Sequence, residues 1–203
     1  MSNVLNLTFD FFPAVSKFDS KTLKKYNSSL SDDRKACYAG HYEVYRSIIN
    51  NGYRNALILE DDVDIELNIT SIVHGIYPTL PPNWDLLYVG HCWFENKEPC
   101  DNKTTSAFRL YYSKMPVCTH AYAVSFAAAQ RLVKMLTFLT EPIDVQLINW
   151  IKAGFLKSFS IDPPAIVQRQ AKDDQTDIPS SGKSFKFYLK NSTLDFLDHK
   201  KTN

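Results

Sequence analysis

The chain has 203 residues, enough for about one domain with a real core and a cleft. Hydrophobic residues make up 44% and charged residues 22%, ordinary globular usage that excludes a mainly disordered or collagen-like chain. Lys plus Arg number 23 against 22 for Asp plus Glu, and the resulting net charge of +1 excludes a strongly basic nucleic-acid binder as the default reading.

Met1–Val15 has neither a basic n-region nor an unbroken apolar stretch, so it does not read as a signal peptide. Leu5–Val15 reads as a strand running into a Pro turn. After a polar loop, Ser31 with Asp32 and Asp33 reads as a helix start, the acids suiting the positive helix end. This helix runs to Asn51 and stops at Gly52. Cys37, His41, Val44, Tyr45 and Ile48 fall on one of its faces. Asn55–Leu59 is a short apolar run of the kind buried on both faces of a sheet, and it ends in Glu60, Asp61, Asp62, Val63 and Asp64. Leu67–Leu80 is an amphipathic helix closed by Pro81 and Pro82, and Asp85–Gly90 is a second buried strand. His91–Ser106 is a polar excursion, followed by strands at Phe108–Tyr112 and Ala121–Val124. Ser125 caps a helix to Leu139. The longest apolar stretch, Ala121–Leu139, is broken by Gln130, Arg131 and Lys134, so no membrane span is expected. A helix at Asp144–Ala153 ends at Gly154, and Phe155–Ile161 and Ala165–Val167 are the last strands. From Lys172 the chain is polar, with a short helix near Ser192–Asp198. Helices alternating with buried strands predict an α/β sandwich with a mostly parallel central sheet, whose ligands bind beyond the carboxyl ends of the strands.

The acidic cluster sits at such an end. Four carboxylates in five residues repel one another, and without a cation one or more of their pKa values rises. A hard cation, Mn²⁺ or Mg²⁺, takes carboxylate oxygens and leaves positions for water and phosphate, so a metal–diphosphate site is one reading. The other is a solvated acidic turn leading into a helix, with Asp64 and Glu66 facing the helix dipole.

Sequons at Asn6, Asn27, Asn68, Asn102 and Asn191, with an even set of cysteines (Cys37, Cys92, Cys100, Cys118), favour the endoplasmic reticulum or Golgi lumen. A disulfide within the Cys92–Cys118 region fits that compartment. An N-terminally incomplete chain would reconcile it with the missing signal peptide. Cys92, Cys100, Cys118 and His120 match no zinc-ligand spacing.

The blocks KACYAGHYEVYRSIINNGYRNALILEDDVD, WDLLYVGHC, PVCTHAYAVS and EPIDVQLINWIKAG, in that order, resemble glycosyltransferase family 25. The family includes collagen hydroxylysine and lipooligosaccharide galactosyltransferases. LILEDDVD and CTHAYAVS are the most specific blocks. The resemblance covers roughly Phe9–Ile178, giving a domain at 1–178 and a polar tail at 179–203. It implies a GT-A-like fold, a UDP-sugar donor and a hydroxyl-bearing acceptor. Its acidic motif resembles the D-x-D device, with Asp62 and Asp64 as metal ligands and Glu60 and Asp61 toward the donor. His41 matches a position that the family keeps near its site, although a core-facing helical His reads as well. Asp144 is the candidate base for the acceptor hydroxyl, and Asp177 aligns with a late S-D element that completes the metal shell. Leu5–Val15 resembles the segment after the family's opening V-I-N-L strand, so the first βα unit is expected to be absent. That leaves a fragment, or a divergent member with a weakened donor site.

Two rival readings use the same residues. One is an inactive module that binds acceptor or partner. The other is a haloacid-dehalogenase-like phosphatase with Asp62 as nucleophile and Asp64 as acid.

Overall fold

The computed structural model describes residues 1–92, 99–100, 107–169 and 189–201. Two short helices, α1 (Ser2–Leu5) and α2 (Ser20–Leu23), precede the long helix α3 (Asp32–Asn51). Then come β1 (Asn55–Leu59), β2 (Val63–Ile65), α4 (Ile69–Ile76) with a 3₁₀ turn at Tyr77–Thr79, and β3 (Leu86–Gly90). The chain continues through β4 (Arg109–Tyr112), β5 (Ala121–Ser125), α5 (Phe126–Met135), α6 (Ile143–Lys152), β6 (Ser158–Asp162), β7 (Ile166–Gln168) and α7 (Thr193–Lys201).

Local chemistry explains the helix ends. Gly52 (φ 65°) closes α3 in the left-handed region, its N–H reaching the carbonyls of Ile48 and Ile49. Gly154 (φ 78°) follows α6 in the same way. The Ser125 hydroxyl caps α5 by accepting from the Ala128 N–H at 3.1 Å.

Five strands form one sheet in the order β1-β5-β3-β6-β4. Only β3 and β6 pair in parallel; β1–β5, β3–β5 and β4–β6 are antiparallel. The expected mostly parallel sheet is therefore corrected. The helix-connected strands β1, β3 and β6 do run the same way, but β5 enters between β1 and β3 in the opposite direction. An apolar run reports burial on two faces and carries no direction, so Ala121–Val124 reads alike either way.

Both faces of the sheet are covered. Along β3, Leu86 and Tyr88 join a core with Tyr45, Ile48, Tyr122, Leu132 and Leu147 under α3, α5 and α6. Leu87 and Val89 join a second core with Ile65, Ile69, Ile161 and Ile166, on the side of α4 and the antiparallel β2–β7 ribbon. All five residues of β3 are buried. Asp85, just before β3, is buried, accepts the Lys157 N–H at 2.8 Å and pairs with Arg131, which fixes β3 against the start of β6.

Two expectations change. Leu5–Val15 is not a strand. It closes α1, passes through a left-handed Asn6 (φ 51°) and continues as irregular chain with Phe11 95% exposed. Among the described residues no strand pairs with it, and alternation alone cannot supply a ladder. The acidic cluster, read as a turn, contains β2, with Val63 and Ile65 buried. The expected boundary at 178 and 179 lies outside the described residues, while Lys190–Thr193 fastens to β2 and leads into α7, near the expected short helix.

β3 ends under a tight contact. A Cβ at Gly90 would stand 2.4 Å from both His120 Nε2 and the Ile166 carbonyl oxygen. A backbone carbonyl held in a ladder cannot move aside cheaply, so Gly90→Ala is expected to destabilise the fold by about 1–3 kcal/mol. Urea unfolding checks this; a midpoint equal to the parent's would contradict the packing.

Candidate functional site

Because β1, β3 and β6 run together, their carboxyl ends share one edge with the start of β5. The first halves of α3 and α6 lie there too, since each helix ends close to the start of the strand that follows it. Glu60, the Asp61–Asp62 turn, His91, Thr119 and His120 all sit at this edge.

Glu60 is the hub. Its N–H donates to the His120 carbonyl at 2.9 Å, one step past the Leu59–Ala121 pair. Its Oε1 accepts from the Thr119 hydroxyl at 3.0 Å and lies 3.5 Å from His41 Nε2. Burial pushes the Glu60 carboxyl up, but the hydrogen bond and charge of His41, the charge of His120 and the Thr119 hydroxyl outweigh it and hold the group below its ordinary value. His41 is buried, and its Nδ1 shares a 2.8 Å hydrogen bond with the Tyr122 hydroxyl. Tyr122 in turn meets the Tyr45 hydroxyl at 2.5 Å and stacks on Tyr88. Burial raises both the Tyr45 and Tyr122 phenols, so this chain of hydroxyls stays neutral.

Cys37 stands one helical turn before His41. It is a free thiol, pushed up to about 12 by burial first and then by the charges of Glu60 and Asp144. Asp144 lies in the first turn of α6, with Oδ1 accepting from the Val145 N–H at 2.9 Å. Its charge helps raise the Cys37 thiol and the Tyr88 phenol.

Asp62 faces β7. Oδ2 accepts from Gln168 Nε2 at 2.6 Å, while Oδ1 is buried with no hydrogen-bond partner among the described residues. Burial raises this carboxyl above its ordinary value against the Gln168 hydrogen bond, and Glu60 and Asp61 add to the rise. A buried carboxylate oxygen without a donor is a hard, anionic ligand. Asp61 is exposed on the turn. Asp64 is engaged elsewhere. Its Oδ1 accepts from the N–H of Ile65 (2.8 Å) and Leu194 (3.2 Å), and its Oδ2 from the Ser192 hydroxyl (2.6 Å). Half-buried in β2, it meets the start of α7 rather than the helix that follows it, so the solvated-turn reading does not hold for this residue. Glu66, 2% exposed, accepts from the N–H groups of Lys190 and Asn191 beside it. Asp177, with Trp93 and Asn102, lies outside the described residues.

His120 is buried, and its Nε2 lies 3.3 Å from the Ile166 carbonyl, an acceptor that requires the Nε2–H tautomer. Burial lowers its pKa despite the charges of Glu60 and Asp62. A disulfide joins Cys92 and Cys118, as the expectation for this region had it, and commits both sulfurs. Trp84 is buried in one core, and Trp150 packs against the other. A cavity of about 370 Å³ lies at the opposite edge between Asn83, Tyr112, Ser113 and Ser158, away from all of this chemistry. Thr119, Tyr45 and Tyr122 were missed as site residues. Tyr45 had a signal, four residues after His41 on the same helical face.

The profile of glycosyltransferase family 25 (LPS biosynthesis protein) matches residues 2–147. Procollagen galactosyltransferase 1 of Danio rerio is 22% identical over 163 residues, 72% of this chain and 27% of its own length. Procollagen galactosyltransferase 2 of Homo sapiens is 26% identical over 144 residues, 63% of this chain and 23% of its own. Inactive glycosyltransferase 25 family member 3 of Homo sapiens is 25% identical over 139 residues, 65% of this chain and 21% of its own. The chain thus spans about a quarter of the length of these relatives. Among the described residues no helix is long and apolar enough to cross a membrane.

Glu60 generates a pH test. A carboxyl depressed in the native state contributes stability that is fully present above its unfolded value, 4.5, and is lost as pH falls through the depressed native value. Relative to Glu60→Gln, the parent is expected to be more stable at neutral pH, with the two curves converging as pH falls below 4.5. Thermal unfolding across that range checks it; a constant offset down to the acid limit would contradict the assignment.

Proposed function

Because the chain belongs to glycosyltransferase family 25, we propose that it transfers a hexose, galactose in the leading reading, from a UDP-sugar to a hydroxyl-bearing glycan or protein acceptor with inversion. The observation that carries this is the buried Oδ1 of Asp62, without a hydrogen-bond partner among the described residues, at the shared edge of β1, β3 and β6. This oxygen fits a hard cation: Asp62 would hold Mn²⁺ or Mg²⁺, with Asp61 beside it toward the donor. An ion held by these residues would supply Lewis-acid stabilisation of charge on a departing diphosphate. We keep Asp177 as a further ligand on the resemblance alone. Asp64 is left out of the shell, since Ile65, Ser192 and Leu194 take its oxygens. The same engagement removes the acid that the phosphatase reading requires.

The chain's own residues do the rest. The Glu60 carboxylate accepts hydrogen bonds from donor hydroxyls, held in place by Thr119 and by His41. His41 presents Nε2 on the donor side because Tyr122 holds Nδ1. Asp144 takes the proton of the acceptor hydroxyl, whose oxygen attacks the anomeric carbon as UDP leaves from the opposite face. The Cys92–Cys118 disulfide and the exposed sequon asparagines Asn27, Asn68 and Asn191 support work in the lumen of the endoplasmic reticulum or Golgi. A GT-A-like architecture is part of the same proposal.

A second reading, a module that binds without turnover, is favoured by the relative described as inactive.

Two variants separate the readings. Asp144→Asn is expected to lower kcat for UDP release with acceptor by about 10²–10⁴-fold, the range of a lost general base. Asp62→Asn is expected to abolish the rise in Tm that Mn²⁺ gives the parent. UDP binding without turnover in the parent would favour the binding module. An equal Mn²⁺ effect on parent and Asp62→Asn would overturn the metal assignment.

A further inference from the structure

We propose that Cys37, His41 and Glu60 form a second cation site, for a thiophilic divalent ion such as Zn²⁺, separate from the Asp62 carboxylate. One ligand atom from each residue lies within 4.8 Å of the other two. His41 Nε2 and Glu60 Oε1 are already 3.5 Å apart, close to the separation of neighbouring ligands when metal–ligand lengths are about 2.0–2.3 Å. The sequence produces this placement locally. Cys37 and His41 are four residues apart on one face of α3. The turn at Gly52 folds that helix back beside β1, whose last step delivers Glu60.

Two of the three ligands are oriented by outer partners. The Tyr122 hydroxyl engages His41 Nδ1 at 2.8 Å, leaving Nε2 for the ion. The Thr119 hydroxyl holds Glu60 Oε1 at 3.0 Å. The charges of Asp144 and Asp33 reach Cys37, and those of His120 and Asp62 reach Glu60. A thiolate–imidazole–carboxylate set selects Zn²⁺ or Co²⁺ over Mg²⁺ and Mn²⁺, which prefer all-oxygen shells. Three protein ligands leave the fourth tetrahedral position to water or a substrate oxygen, the open arrangement of reactive zinc sites rather than of closed structural ones. On binding, the thiol proton leaves to solvent and a sulfur–metal bond forms, with no change of oxidation state. Since His41 and Glu60 also face the proposed donor, an occupied site would alter donor binding. That consequence rests on the functional reading above; the metal site does not.

The test uses the full chain, freed of metal and titrated with Co²⁺ alone. One equivalent is expected to give a thiolate-to-cobalt charge-transfer band that Zn²⁺ erases and equimolar Mg²⁺ does not. Cys37→Ser is expected to abolish the band and weaken Zn²⁺ binding at least tenfold, while Cys100→Ser and Asp62→Asn leave both unchanged. A parent without the band, or a Cys37→Ser variant that keeps it, would overturn the site. Should Cys37→Ser fail to fold, alkylation of the parent decides. Zn²⁺ is expected to slow modification of Cys37 at least tenfold with Cys100 unaffected, and an unchanged Cys37 rate would overturn the proposal.

Discussion

The hydrogen bond from the Glu60 amide to the His120 carbonyl carries the β1–β5 ladder one step beyond the last strand pair. That step decides where the acidic cluster goes. It holds Glu60 between α3 and β5, where His41 and Thr119 receive its carboxylate. The chain must then turn, and the residues after it enter a different sheet with β7. Along β2 the pleat sends Val63 and Ile65 to the core and Asp62, Asp64 and Glu66 to the other side. Repulsion among clustered acids is relieved here by giving each its own partners. Glu60 has the α3 imidazole, Asp64 the start of α7, and Glu66 the amides of Lys190 and Asn191. Asp61 stays in solvent. Asp62 keeps one oxygen without a donor among the described residues. The opposite pKa directions of Glu60 and Asp62 express the same division.

The hydroxyls of Tyr45 and Tyr122 link this edge to the interior. Both rings are fully buried in the core under α3, and each phenol would be costly there without a partner. They satisfy each other, and the run ends on His41, which transmits the packing of the core to the orientation of its Nε2. Burial raises both phenols, so the charge at the edge resides on the carboxylates. A rigid scaffold of this kind positions polar groups without asking them to reorganise during reaction.

Sequence signals located elements better than directions. Gly52, Ser125 and Gly154 mark helix ends because each satisfies a specific backbone need. Strand direction left no such mark, so antiparallel β5 between β1 and β3 was invisible. β2 was hidden although Asp62–Glu66 alternates with period two, since charge drew the reading to a turn. The Leu5–Val15 pattern misled in the opposite sense, having the alternation of a strand without a partner. Glu60, Asp62 and Asp144 were singled out as carboxylates near element ends, and His41, in the middle of α3, by its match to the family. The engagement of Asp64 with Ser192 and Leu194 was not legible, because it joins residues 128 and 130 apart in the chain. Thr119 was equally hidden, its partner Glu60 lying 59 residues away.

Mn²⁺-induced line broadening in the amide spectrum of the isotopically labelled chain, with UDP-hexose present, tests most directly whether the carboxylate edge is the reactive one. The expected result is broadening centred on Glu60–Val63 and Gln168–Arg169, fading toward the opposite edge. Broadening centred on Tyr112, Ser113 and Ser158, around the large cavity at that opposite edge, would contradict it.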